Sequence, residues 1–185
     1  MRPLLTDARR EARLLALAVA AMALVIATSN YLVQFPINDW LTWGAFSYPF
    51  AFLVTDLTNR AFGPRRARQV VAAGFVVAVA LSLALAPWRI AIASGGAFLL
   101  GQLLDVQLFD RLRRASWWLA PLLSSALASV VDTFVFFGGA FAGEGLPWVT
   151  WALGDLAVKL AMALALLAPF RLLMAAFSPA PTPAR

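Results

Sequence analysis

The sequence predicts an all-α, polytopic membrane protein with six transmembrane helices, and three observations carry that prediction. Hydrophobic residue types make up 62% of the 185 positions and charged ones only 13%, at a mean hydropathy of +0.81. A soluble domain has roughly half apolar and a quarter charged residues. The apolar residues fall into six runs, each near the roughly 17–25 residues that a helix needs to cross hydrocarbon. The arginines collect in the short gaps at alternate ends of those runs, as membrane topology demands.

The runs are Leu14 to Phe35, Gly44 to Phe62, Val70 to Ala86, Ile90 to Phe109, Trp117 to Gly139 and Trp148 to Phe170. The first follows a cluster of arginines, as a secretory leader does. Its length of about 22 residues and the lack of a small-residue cleavage site predict a retained helix instead. The connectors Pro36 to Trp43, Gly63 to Gln69, Pro87 to Arg89, Asp110 to Ser116 and Ala140 to Pro147 are too short to hold a soluble domain. Three segments follow: a basic N-terminal tail over 1–13, a six-helix domain over 14–174, and a Pro-rich tail over 175–185 whose composition predicts disorder.

Orientation comes from the arginines. Arg2, Arg9, Arg10, Arg13, Arg60, Arg65, Arg66, Arg68, Arg111, Arg113, Arg114, Arg171 and Arg185 fall on one side, Arg89 alone on the other, and Lys159 lies within a span. The positive-inside rule then places both termini in the cytoplasm of a multi-pass inner-membrane protein surrounded by lipid. The same distribution accounts for the net charge of +6 and the pI near 11.3 without a nucleic-acid partner, since no basic stripe runs along one face. There is no cysteine and no histidine. Thiol chemistry, the commonest zinc ligands and the commonest general base are therefore absent, and neither a metal, a cofactor nor a catalytic residue is expected.

Polar residues inside the spans carry the functional reading, because an ionisable group in hydrocarbon is costly and normally faces a bundle interior or a water-lined path. At helical spacing, Asn30 and Gln34 share a face of the first span, and Asp56, Asn59 and Arg60 lie within about one turn on the second. Ser94, Phe98, Gln102, Asp105 and Phe109 line the fourth; Ser125, Ser129, Asp132 and Phe136 the fifth; Trp148, Trp151, Asp155, Lys159 and Met162 the sixth. Alternating helix direction sorts them by depth. Asn30, Gln34, Asp132, Asp155 and Lys159 fall in the outer half; Asp56, Asn59, Arg60, Gln102 and Asp105 fall in the inner half. Trp40, Trp43, Trp148 and Trp151 lie near the outer group. Carboxylate acceptors, amide or ammonium donors and aromatic faces suit a planar, hydrogen-bonding solute.

Plainer roles fit several of these residues as well. Asp155 with Lys159, and Asp56 with Arg60, have the i,i+4 spacing of a structural ion pair. Tryptophans at span ends anchor at the interface, and Ser124, Ser125 and Ser129 suit helix packing. Asp132 has no base at helical spacing on its own helix, which favours function. The four intramembrane carboxyls outnumber the cations Lys159 and Arg60, so proton coupling is an expectation. Ala12, Ala16 and Ala20, with Ala23 and Ala27, give the first helix a small-residue face that fits a second membrane subunit or a second copy.

Thr28-Ser29-Asn30, Tyr48-Pro49-Phe50, Thr55-Asp56-Leu57-Thr58-Asn59 with Phe62-Gly63, Ala93-Ser94, Gln102-Leu103-Leu104-Asp105, Ser125 with Asp132-Thr133, and Lys159 occur in this order. In that order and spacing the chain resembles the queuosine precursor transporter family, also called the VUT family, over nearly all of the six-span core. The resemblance implies import of 7-cyano-7-deazaguanine or 7-aminomethyl-7-deazaguanine for tRNA modification. Combined with the stripes, it makes Asn30, Gln102, Asp105, Asp132, Phe136 and Lys159 the candidate solute-binding residues, with Asp56, Asn59, Arg60 and Asp155 as gating or structural polar groups. Two other readings stand beside it: a substrate-binding subunit of an energised (ECF-type) vitamin or nucleobase importer, and a membrane-embedded enzyme, which the missing catalytic residue types disfavour.

Overall fold

Prolines sit at or just before the first turn of several helices, where a missing N–H costs nothing, and here they punctuate the apolar runs. The computed structural model describes residues 3–177. Within them the order is α1 (Pro3–Leu32), β1 (Pro36–Asn38), β2 (Leu41–Thr42), α2 (Gly44–Ser47), α3 (Pro49–Phe62), α4 (Pro64–Leu85), α5 (Trp88–Leu112), α6 (Leu119–Phe141), α7 (Trp148–Ala165) and α8 (Leu167–Phe177). Part of the expected disordered tail, 178–185, lies outside the described residues. Helix α1 takes in the basic segment from Pro3 onward rather than starting at the apolar run.

These helical pieces make the six expected crossings. Ala8–Leu32, Pro64–Leu85, Trp88–Leu112, Leu119–Phe141 and Trp148–Met174 are each long and apolar enough to span a bilayer. The sixth is α2 followed directly by α3. Tyr48 between them keeps right-handed helical dihedrals, and Tyr48 N–H still bonds the Gly44 carbonyl. The interruption has a simple cause: Pro49 has no N–H, so the Ala45 carbonyl loses its i+4 partner. The near-continuous Gly44–Phe62 stretch is about 28 Å long at 1.5 Å per residue, close to the hydrocarbon thickness.

The chain packs in sequence order along one path, with α1 on α4, α4 on α5, α5 on α6 and α6 on α7, while α3 touches α1, α4, α5 and α8. Met22, Ile26, Tyr48, Phe52, Val71, Phe98 and Val106 form the buried apolar centre around α3. Leu17, Leu24, Val76, Leu83, Leu164 and Leu172 point outward, as they can where the solvent is lipid. In that solvent the helices are held by close packing and interhelical hydrogen bonds rather than by water exclusion. Of the alanine face proposed on α1, Ala23 and Ala27 are buried within the chain and Ala12, Ala16 and Ala20 are exposed.

The connector Pro36 to Trp43 forms a small antiparallel hairpin, β1 with β2. It is tied down on α7: Thr150 Oγ1 donates to the Asp39 carbonyl at 2.6 Å, and Trp151 Nε1 donates to the Asn38 carbonyl at 3.2 Å. Gly154 makes this possible, since a Cβ there would collide with the Trp40 carbonyl. Gly154→Ala is therefore expected to lift the hairpin and cost roughly 1–3 kcal/mol as an overpacked contact. Hydrogen exchange on residues 36–43 measures it; unchanged protection would refute the contact. At the same end, Arg89 donates to the Gly139 and Ala142 carbonyls and pairs with Glu144, joining the start of α5 to the end of α6. At the opposite, arginine-rich end, Arg60 donates to the Arg113 carbonyl and Arg113 to the Asn59 carbonyl, each at 2.9 Å.

Candidate functional site

Helix α7 carries Asp155 and Lys159 one turn apart, and the i,i+4 pair expected from that spacing forms at 2.6 Å. It does not close on itself. Lys159 Nζ also donates to Asp132 Oδ2 on α6 at 2.7 Å and to Thr133 Oγ1 at 3.0 Å, so all three ammonium hydrogens are used. Asp132, without a base on its own helix, thus takes its cation from α7. Its other oxygen accepts from Tyr48 Oη at 2.6 Å, while Thr133 Oγ1 donates to Asp155 Oδ2 at 3.0 Å. Lys159 Nζ lies 4.6 Å from the centroid of the Tyr48 ring, a cation–π contact. Asp132, Asp155 and Lys159 are 1%, 5% and 3% exposed. Such charges are tolerable only when paired and hydrogen-bonded as fully as this.

The cluster forms one wall of a narrow cavity of about 20 Å³, room for about one water, so a solute enters it only as the side chains around it part. Ser29, Asn30, Ser94, Phe136 and Tyr48 complete the polar and aromatic lining. Two aspartates share one ammonium here, so the cluster holds one more acidic group than basic ones. Asn30 Nδ2 is already bound to Ser82 Oγ at 2.6 Å, leaving its carbonyl oxygen as the further acceptor on that side. Four of the six residues expected to bind solute, Asn30, Asp132, Phe136 and Lys159, therefore meet on one cavity, and Asp155 joins them.

Gln102 and Asp105 go elsewhere. Both are fully buried and belong to a second polar cluster with Asp56 and Asn59, the inner group of the sequence reading. Ser125 Oγ lies 3.1 Å from Asp56 Oδ2 and 3.5 Å from Asp105 Oδ1. Thr55 Oγ1 donates to Gln102 Oε1, and Asn59 Nδ2 donates to the Val106 carbonyl at 3.1 Å. Asp56 turns to Ser125, and Arg60 bonds the Arg113 carbonyl, so their i,i+4 spacing does not make an ion pair. A second narrow cavity, also of about 20 Å³, reaches Asp56, Ser125 and Ser129 and has Lys159 on its wall. Lys159 is the polar residue common to both cavities. Among the described residues no group of three or more acidic side chains could hold a metal ion.

Sequence reasoning passed over Tyr48 as a site residue. Its signal was its position immediately before Pro49, where the second span is interrupted. The tryptophans expected near the outer group do not line the cavity: Trp40 and Trp43 are exposed, and Trp151 packs edge-on against Phe141 with centroids 5.6 Å apart. Gln34, also in that group, caps backbone carbonyls of Asn30, Tyr31 and Leu85 instead.

Comparison with known proteins follows the same lines. The family profile described as "Putative vitamin uptake transporter" matches residues 42–87 and 82–174. The "Queuosine precursor transporter" of Escherichia coli is 39% identical over 175 residues, 79% of this chain and 79% of that protein. The "Probable queuosine precursor transporter" of Haemophilus influenzae is 39% identical over 166 residues, 69% of this chain and 71% of that one. One of the same description in Bacillus subtilis is 28% identical over 130 residues, 55% of this chain and 57% of the other. No solved structure matches the chain.

Proposed function

The chain belongs to the vitamin uptake transporter family, a family of membrane transporters and not enzymes, and we propose that it imports a 7-deazaguanine precursor of queuosine across the bacterial inner membrane. The cyano form, the aminomethyl form or both are the solutes, and both termini face the cytoplasm. The observation that carries this reading is Asp132 held between Tyr48 and Lys159 on the wall of a cavity that also presents Phe136 and Asn30.

The chemistry suits a deazaguanine. Its ring N–H and exocyclic amine form a donor edge that one carboxylate accepts in bidentate fashion, the logic by which proteins read base edges. Asp132 supplies that carboxylate, Phe136 a face for stacking, and the excess of acidic over basic groups suits a donor-rich or cationic solute. Lys159 serves as the moving part. As the solute's donors take the Asp132 oxygens, the ammonium retains Asp155 and Thr133 and is released from Asp132. Because it forms part of the wall of both cavities, its release joins the solute's binding to opening toward the arginine-rich end, a form of alternating access.

The test is rescue in bacteria that neither make deazaguanines nor possess their own importer, fed nanomolar precursor, with queuosine read in tRNA. Wild type is expected to restore queuosine. Asp132→Asn, expressed and inserted to the same level, is expected to lose at least about tenfold in uptake, since one charge-assisted hydrogen bond contributes about 1.5–3 kcal/mol. No rescue by well-inserted wild type would mean another solute or a required second subunit, for which the exposed Ala12, Ala16 and Ala20 face is available.

A further inference from the structure

The second polar cluster is not accounted for by solute binding. Asp56 is 3% exposed and Asp105 fully buried, and one carboxyl oxygen of each lies within 3.5 Å of the same Ser125 hydroxyl. Ser125 stands between them with a single hydroxyl hydrogen for two carboxyl oxygens. Ser124 Oγ, fully buried on the same turn of α6, has no hydrogen-bond partner. Asp56 Oδ1, Asp105 Oδ2, Asn59 Oδ1 and Gln102 Nε2 are also unpartnered. These make five of the six buried side-chain atoms left unsatisfied among the described residues, gathered on α3, α5 and the facing turn of α6.

Among the described residues, no cation bonds either carboxyl. On α3, Arg60 is bound to the Arg113 carbonyl. Just past α5, Arg113 is held by Asp110 and the Asn59 carbonyl. Lys159 of α7 is committed to Asp132 and Asp155, Arg171 of α8 lies against Trp117, and Arg66 of α4 pairs with Glu11 of α1. Two unpaired anions side by side in so dry a place would repel strongly, whereas one proton shared between them makes the contact attractive. The second cavity provides the route, since it reaches Asp56 and Ser125.

We propose that Asp56, Asp105 and Ser125 form the site of the coupling ion, a single proton shared by the two carboxyls and separate from the solute cavity. The proposal rests on the transport reading above. One proton binds the pair when it is open to the side from which solute enters and leaves through the second cavity, at the arginine-rich end. No bond other than the O–H changes. Lys159, on both cavity walls, stands between the two sites.

The experiment uses the purified full chain in sodium-free proteoliposomes with labelled 7-cyano-7-deazaguanine. Two readouts are compared: exchange of labelled for unlabelled solute at equal pH, and accumulation driven by an acidic exterior. Wild type is expected to do both, concentrating solute up to about tenfold per pH unit at one proton per solute. Asp56→Asn is expected to keep exchange within about twofold while its accumulation ratio falls to about one. Accumulation at the wild-type ratio in Asp56→Asn, loss of exchange in a folded Asp56→Asn protein, or wild-type accumulation that ignores the pH gradient and appears only when a sodium gradient is supplied in a parallel run would each overturn the assignment. If wild type exchanges no deazaguanine, the transport reading fails by itself. Infrared spectroscopy still decides the proton: a protonated-carboxyl band at neutral pH that vanishes in both Asp56→Asn and Asp105→Asn supports the site, and its absence from wild type refutes it.

Discussion

Replacing Lys159 with methionine is expected to abolish uptake and to destabilise the fold by about 3–5 kcal/mol, the usual cost of removing one partner from a buried ionic cluster. The ammonium binds Asp132, Asp155 and Thr133 and lies over the Tyr48 ring. Without it, two carboxyls a short distance apart have only hydroxyl partners. Methionine fills the space and so isolates the charge from the volume. Adding Asp155→Asn should recover part of the lost stability by removing one of the stranded acids, but not the uptake, because solute would still meet a site with no mobile cation. Thermal unfolding in detergent and uptake in cells read the two effects separately. A Lys159→Met protein as stable as wild type would mean that the cluster contributes no net stability.

A second large effect is expected at a position with no polar atom of its own side chain. Gly101 on α5 lies where a Cβ would stand 2.9 Å from the Asp132 Cβ and 3.6 Å from the Ala128 carbonyl. α5 and α6 form the most extensive helix pair of the chain, and Gly101 sets how closely they approach. Gly101→Leu should force them apart at the depth of the solute site, cost roughly 1–3 kcal/mol and draw Asp132 away from Tyr48 and Lys159. Uptake should fall more than stability suggests. Gly96 is the internal control: on the same helix, a Cβ there meets nothing within 4 Å, so Gly96→Ala should leave uptake unchanged and stability within about 0.5 kcal/mol. Equal losses from both changes would refute the steric argument.

The spans were legible because hydrocarbon imposes a length and an apolar composition on every crossing. That rule found even Gly44 to Phe62, where Pro49 interrupts the helix. The hairpin over 36–42 gave no such signal, since its few residues hold shape through Thr150, Trp151 and the room left by Gly154, all more than a hundred positions away. Helix direction and depth set Asn30, Asp132, Asp155 and Lys159 apart from Asp56, Asn59, Gln102 and Asp105, as the two clusters do, while Gln34 and Arg60 turned to backbone carbonyls instead. The partnerships across helices were not legible. Lys159 and Asp132 are 27 positions apart and Tyr48 and Asp132 are 84 apart, and spacing along one helix does not report which faces of different helices meet. For the same reason Arg60 looked like a partner for Asp56 and proved to bind the Arg113 carbonyl just past α5, and Gln102 and Asp105 were grouped with the solute.

The polar face of α3 also bears on how the chain is made. Thr55 and Asn59 find their partners on α5, 47 positions later, and Asp56 finds Ser125 on α6, 69 positions later. At about 5–20 residues per second of synthesis, this span leaves the ribosome roughly 3–14 s before the last of those partners exists. During that interval its carboxyl and amide have nothing from the finished bundle to bind. The second span translated is thus among the last to have its polar face satisfied by the rest of the chain.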